Sequence, residues 1–384
     1  MESYVFIDGK KYRRGYTTGT TATAAAMAAA LWALGDDASH HMSVKLPGGQ
    51  ILEIPVNYAP EMGTASAIKD GGDDIDQTNG LEIVAKVTLK NRCKTISEET
   101  PDHNNEDSQI TIIGGIGVGR VTKAGLQVPI GDAAINPVPL KMIEENVRAL
   151  LGSELGATIE ISVPKGELAA IKTFNPKLGI VGGISIIGTT GIVEPMSEEA
   201  WKKSLDIELR QLKLLGSKRV VLVPGNHGEK FAVKHLGVAP EVVVTMSNFV
   251  GYMLMSAVNE GFKEAYLVGH IGKLIKVAGG IFHTHSRVAD GRADLLCSYL
   301  AKVRAPYELI EAVRVTNTTD EAVEVIFEAG YEHVFEVLAK AAAQRATEHT
   351  YGELKTEVCL YDMKGRMLGA SVPIEEIQAK FSNL

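Results

Sequence analysis

Cysteine is scarce in this chain: Cys93, Cys297 and Cys359 are the only three among 384 residues, and no two form a C-x-x-C pair. An odd, widely spaced set excludes a disulfide framework and fits reduced thiols in a cytoplasm. Long apolar runs are also missing. The hydrophobic stretches are short or interrupted by Gly and Thr, and the polar start MESYVFIDGKKYRR lacks the apolar core of a signal peptide. No membrane segment is expected, and the protein reads as cytoplasmic. There is no basic tract of five or more residues, and 39 Lys and Arg against 47 Asp and Glu give a formal charge of −8. Nucleic-acid binding therefore lacks its electrostatic footprint, and a polyanionic substrate would need local basic patches. The absence of G-x-S-x-G and of a P-loop argues against acyl transfer and nucleoside triphosphate hydrolysis.

What is present describes an ordinary globular chain, 45% hydrophobic and 22% charged, long enough for two domains with substantial cores. Its most informative stretch is IVGGISIIGTTGIVEP, Ile180 to Pro195. The β-branched run Ile184 to Ile187 predicts a strand buried on both faces. Gly188 and Gly191 then permit a sharp turn. Ser197 can cap a helix on which Trp201, Leu205, Leu209, Leu212 and Leu215 recur at helical spacing, ended by Gly216.

The same grammar returns at Val220 to Val223 before Pro224-Gly225-Asn226-His227-Gly228, and at Ala265 to Val268 before Gly269-His270-Ile271-Gly272-Lys273. Between them, Val242 to Thr245 precedes a helix over Phe249 to Asn259. Four strand-to-loop units predict a doubly wound, Rossmann-like α/β domain, with ligands beyond the carboxyl ends of its strands. We place it at residues 171–384, with a helical and hairpin extension after Asp294. The hairpin of Glu357 to Tyr361 and Met367 to Ala370 is left free to join either domain.

Residues 1–170 read as an α+β domain. A helix should start after the Gly15–Thr20 segment and run through an alanine-rich stretch to Leu34, with Gly35 as its stop. Ser43 to Leu46 and Ile51 to Val56 flank a Pro-Gly-Gly turn and predict a hairpin. Leu81 to Leu89, Gln109 to Ile113 and Thr158 to Val163 predict strands, Leu140 to Leu151 a helix, and Thr95 to Ser108 an exposed loop.

Lys69 to Asp76, KDGGDDID, packs four carboxylates into eight residues. It lacks the spacing and terminal Glu of a calcium loop, so no metal site is assigned; a solvated turn and a substrate or proton-transfer role both stay open, with Asp70 and Asp73 as candidates. The glycine run of Ile112 to Arg120 mimics part of a dinucleotide fingerprint, but no helix is expected after it. His283-Thr284-His285 puts two imidazoles on one face of an extended segment, without a third ligand fixed by spacing.

Taken together, RRGYTTGTTATAAAMAAA, KDGGDDIDQTNG and GVGRVTKAGLQVPIGDAAINPVP resemble the cobalt-precorrin-5B C(1)-methyltransferase family of the CbiD type. The match continues in order through FNPKLGIVGGISIIGTTGIVEPMS, PGNHG, SNFVG and GHIGKLIKVAGGIFHTHSRVADGR. One departure is Thr21, where the family usually carries cysteine, which argues against a nucleophilic or metal role at that position. The resemblance implies S-adenosylmethionine-dependent methylation of C1 on a cobalt-containing tetrapyrrole, giving cobalt-precorrin-6A on the oxygen-independent route to cobalamin.

On that basis Gly188, Thr189, Thr190, Gly191 and Glu194, completed by Gly225, Asn226, Gly269, His270 and Gly272, are expected to form one S-adenosylmethionine pocket in the C-terminal domain. Arg13, Arg14, Thr17, Thr18, Arg120, Lys123, Lys273 and Arg287 are expected to meet the acidic tetrapyrrole in a cleft between the domains. Asp70, Asp73 or His283 would take the released proton. Rival readings are a nicotinamide-dependent tetrapyrrole reductase, which lacks its G-x-G-x-x-G signature here, and a non-catalytic corrinoid carrier. Homo-oligomerisation is left open.

Overall fold

The computed structural model describes residues 3–7, 9–90 and 108–381 and divides the chain into two compact units, Met1–Ser197 and Glu198–Leu384. Cys93 and most of the loop expected over Thr95 to Ser108 fall outside the described residues. Among those residues no helix is long and apolar enough to cross a membrane.

The first unit begins with an antiparallel pair, β1 (Tyr4–Ile7) and β2 (Lys10–Arg13), and a short β3 (Gly15–Tyr16) that leads into α1 (Thr18–Ala33). Thr17 is extended and its hydroxyl accepts from the amide of Thr20 at 3.2 Å, an N-cap that starts the helix. Residues Thr18 to Ala30 are buried all round. A helix without a polar face belongs in a core, and its alanines let neighbouring backbones approach closely.

The expected hairpin forms from β4 (His41–Lys45) and β5 (Ile51–Pro55). Against α1 packs a sheet built from β6 (Asn57–Tyr58), β7 (Thr64–Ile68), β8 (Glu82–Lys90), β9 (Ile110–Gly114) and a later strand. Two short strands follow, β10 (Gly117–Val118) and β11 (Arg120–Val121), then α2 (Pro137–Leu151) and that later strand, β12 (Gly156–Ser162). The sheet order is β6-β7-β8-β12-β9, antiparallel except for the β12–β9 pair. Ile83, Ala85 and Val87 alternate inward on β8, as do Ala157, Ile159 and Ile161 on β12.

After α3 (Gly166–Ala170) come β13 (Ile180–Val181), β14 (Gly183–Ile184) and β15 (Ile192–Val193). This corrects the sequence reading. The run around Ile184 is not the first strand of the second unit's sheet: β14 pairs with β10, β13 with β11, and β15 with β3. Ile184 and Ile186 are buried as predicted, but in the first unit's core, and Ile187 is exposed. The physical reason is steric. Gly183 lies against the backbone of Gly117, a contact closed to any side chain. The division therefore falls after Ser197, not after residue 170.

The second unit opens with α4 (Glu198–Leu214), followed by β16 (Arg219–Val223), α5 (Asn226–Leu236), β17 (Val243–Thr245), α6 (Val250–Asn259), β18 (Glu264–His270) and α7 (Ile271–Ala278). Four helices, α8 (Arg292–Lys302), α9 (Tyr307–Arg314), α10 (Thr319–Glu328) and α11 (Val334–His349), precede β19 (Lys355–Tyr361), β20 (Met367–Ala370) and α12 (Ile374–Phe381). The sheet order is β17-β16-β18-β19-β20, with the first four strands parallel and β20 antiparallel. Val220 to Val223 and Ala265, Leu267 and Val268 are fully enclosed, as a sheet covered on both faces requires. The terminal hairpin thus joins the second unit. Chain order along the sheet reverses between β16 and β18.

Candidate functional site

Chemistry-bearing residues gather in two places, one in each unit. In the first, three separate motifs converge on the start of α1. The Arg13 guanidinium grips both carboxylate oxygens of Asp70 at 2.5 and 2.7 Å, and the Arg13 amide donates to Asp73 at 2.6 Å. Hydrogen bonding from Arg13 outweighs desolvation and holds the Asp70 carboxyl below its ordinary range. A carboxylate committed in this way is a poor proton acceptor. Arg14 pairs with Glu194 at 3.0 Å.

The Gly188–Gly191 turn wraps the same helix end. Gly188, at φ +138, has its α-carbon against the side chain of Thr17, and the Gly191 carbonyl accepts from Thr20 Oγ1 at 2.7 Å and Thr17 N at 3.0 Å. Thr189 and Thr190 are exposed, and Thr190 bonds back to Ile192. Gly188 to Glu194 therefore lie in the first unit rather than at the strand ends of the second, a correction that follows from the β15–β3 pairing. Thr21 is fully buried, its hydroxyl donating to the Thr17 carbonyl at 2.9 Å, so that position packs the core.

Lys69 is 2% exposed and donates to Asp76 at 2.7 Å. Burial of Asp76 opposes its ionisation, but the Lys69 charge and hydrogen bond prevail and its carboxyl is held low. Arg120 and Lys123 spend their cations on the carbonyls of Gly131 and Lys177, at 3.0 and 3.1 Å. The glycines of Ile112 to Arg120 serve close packing: side chains on Gly114, Gly117 and Gly119 would strike Ala133, the Val163 carbonyl and Ile180.

In the second unit, the carboxyl ends of β16 and β18 carry Gly225-Asn226 and Gly269 to Gly272. Both segments enter helices directly, α5 at Asn226 and α7 at Ile271. Nothing lies within 4 Å of where a side chain on Gly225 would sit, so its backbone is open, whereas Gly269 is packed against Leu274 and Pro224. His270 caps α7: its Nδ1 accepts from the Gly272 amide at 3.1 Å, and its Nε2 stands 3.0 Å from Asp320 Oδ2. An accepting Nδ1 leaves the proton on Nε2, donated to Asp320. Both ring nitrogens are thereby committed. Asp320 Oδ1 also accepts from the Met363 amide at 2.8 Å, tying α10 and the β19–β20 turn to the end of β18.

The Lys273 side chain makes no hydrogen bond or ion pair with another described residue, and burial, reinforced by the Lys276 charge, lowers its pKa. Lys276 itself is 2% exposed and donates to the carbonyls of Thr284 and Ala289 at 3.1 and 2.7 Å, clamping the segment that carries His285 and Arg287. His283 meets Phe249 edge-on, its Nε2 lies 3.5 Å from Glu198, and its Nδ1 is buried with no hydrogen-bond partner among the described residues. His285 accepts from the Arg287 amide at 3.1 Å.

The CbiD family profile matches residues 6–195, and the profile of the CbiD C-terminal domain matches residues 283–372. The chain belongs to the CbiD family. It is 46% identical over 379 residues to the cobalt-precorrin-5B C(1)-methyltransferase of Tolumonas auensis, covering 97% of this chain and 96% of that protein. The same figures hold for the protein of that name from Photorhabdus laumondii subsp. laumondii. Among solved structures, the cobalamin biosynthesis protein (cbiD) from Archaeoglobus fulgidus matches at 29% identity and a TM-score of 0.40, covering 74% of this chain and 86% of that one.

Sequence reasoning missed Asp320, Glu198 and Lys276. The first two are far in sequence from the histidines they accompany, so no local spacing points to them. Lys276 carries no signal of burial in a helix whose other polar residue is also lysine.

Proposed function

We propose that this CbiD-family chain methylates C1 of cobalt-precorrin-5B to give cobalt-precorrin-6A, with S-adenosylmethionine as donor, in the oxygen-independent formation of cobalamin. The observation that carries the reading is the near full-length 46% identity to relatives named for that reaction. The nicotinamide alternative gains nothing from the glycines of Ile112 to Arg120, which precede no helix and are filled by neighbouring backbone and side chains.

S-adenosylmethionine supplies an already activated methyl group, so the chain has only to bind, orient, exclude water and take up a proton. We assign the donor to the second unit, a doubly wound, Rossmann-like domain in this reading. In open parallel sheets ligands bind beyond the strand ends where chain order reverses, here between β16 and β18. The open space beside Gly225 and the exposed Asn226 fit such a ligand, whereas Gly272 is closely flanked by His270 and Thr319. His270, with both nitrogens committed, acts as a fixed wall rather than a donor to the ligand.

Of the three candidates for the proton, His283 is our assignment. Asp70 and Asp73 are held by Arg13, whereas the Glu198 carboxylate balances the charge His283 gains on protonation. In the second unit, the Lys273 side chain remains available to substrate groups.

Titration with S-adenosylhomocysteine separates the two placements of the donor. Asn226→Ala should weaken binding roughly tenfold, as for loss of one or two hydrogen bonds, and Thr190→Val should not. Weakening by Thr190→Val alone would move the donor to the turn of the first unit.

A further inference from the structure

We propose that the basic face of α5, together with the Tyr361–Gly365 turn, is a pocket for carboxylate arms of the tetrapyrrole. The inference rests on the methyl-transfer reading and, His227 apart, assigns residues that the sequence motifs do not mark.

His227, Lys230, Phe231, Lys234 and His235 follow one another at helical spacing and so share one side of α5. They line a concavity of about 180 Å³ with Tyr361, Asp362, Met363 and Gly365. Neither Lys230 nor Lys234 has an ion pair or side-chain hydrogen bond with another described residue, and the same is true of His227. The one acid in the lining, Asp362, is 1% exposed and already accepts from Arg366 Nε at 2.9 Å and from the Arg366 amide at 2.8 Å. A concave wall with two unpaired lysines, whose single carboxylate is taken up elsewhere, in a chain of net charge −8, selects an anionic oxygen group.

Size and position narrow the ligand. The volume is below the roughly 300 Å³ that an enclosed drug-sized ligand needs, so a side arm enters and a macrocycle does not. The floor is a stacked pair, Phe231 and Tyr361, with centroids 4.4 Å apart. Tyr361 is also the register partner of His270 and meets its ring edge-on at 6.2 Å. The pocket thus adjoins the strand ends assigned to the methyl donor. A carboxylate arm held there leaves its ring beside that crevice.

The test compares the full-length protein with Lys230→Glu/Lys234→Glu and with Lys203→Glu/Lys218→Glu, an equal charge change at exposed lysines outside the pocket. The probe is cobalt uroporphyrin, titrated at low and high salt, with inorganic phosphate as competitor and S-adenosylhomocysteine as a check on fold and donor binding. The pocket variant should bind the porphyrin roughly tenfold more weakly and with a shallower salt dependence, at unchanged S-adenosylhomocysteine affinity, while the control variant behaves as wild type. Equal weakening in both variants, or none in the pocket variant, overturns the proposal. So does phosphate that binds at the lysines without displacing the porphyrin, which would mark a small-anion site. Wild-type protein that binds the porphyrin through these lysines but no methyl donor supports the pocket and contradicts the methyl-transfer reading; one that binds neither contradicts both.

Discussion

Thr18 and Ile187 are joined in both directions: the Thr18 hydroxyl accepts from the Ile187 amide at 2.9 Å and lies 3.3 Å from its carbonyl. This contact fastens the Gly188–Gly191 turn to the start of α1, and Thr18 is 3% exposed. Thr18→Val keeps the shape but leaves the Ile187 amide without its acceptor. It should cost about 0.5–1.5 kcal/mol in urea unfolding, with Thr18→Ser costing less. An unchanged midpoint for the valine variant would mean that the turn is held by other contacts.

Gly72 stands at φ +67 with its α-carbon facing the Arg13 carbonyl, so a methyl group there is both strained and obstructed. Gly72→Ala should destabilise the protein by about 2 kcal/mol or more. Gly48, in the β4–β5 turn with open space around it, serves as the contrast: Gly48→Ala should change the melting temperature little.

Acid should weaken the fold through Asp70 and Asp76, whose carboxyls are held below their ordinary values in the folded chain. A depressed folded-state pKa contributes stability above the unfolded value of about 4, and that contribution is lost as pH falls through the folded value. Urea midpoints should therefore decline as pH falls below about 5, and Asp76→Asn should flatten part of that decline. A midpoint independent of pH in this window would show that neither pair stabilises the fold.

Lys276 holds two carbonyls that bracket Arg287 in sequence. Lys276→Met should free that segment and let trypsin cut after Arg287 roughly tenfold faster under native conditions. Unaltered cleavage would assign the clamp to other contacts of the same loop.

Much of this architecture is legible in the residues. The alanine-rich run becomes α1, Pro47-Gly48-Gly49 turns the hairpin, and enclosed apolar runs become β16 and β18, although α1 starts at Thr18, inside the segment expected to precede it. Ile184 shows the limit. Its pattern reports burial but not which sheet it joins, and the contact that decides, Gly183 on Gly117, spans 66 residues. His270 was legible as a strand-end residue. Its partner Asp320 lies 50 positions on, in a different helix, and nothing in either local sequence announces the pair. The α5 pocket was equally hidden, because lysines at helical spacing look like any solvated face until Tyr361 and Asp362 are folded against them.

The central claim is methyl transfer. The most direct test incubates the purified protein without oxygen with cobalt-precorrin-5B and methyl-deuterated S-adenosylmethionine, and weighs the tetrapyrrole. The account predicts one labelled methyl group on the product, formed in step with S-adenosylhomocysteine and slowed by His283→Ala. A tetrapyrrole that stays unlabelled while both ligands are shown to bind would contradict it and favour a carrier of the intermediate.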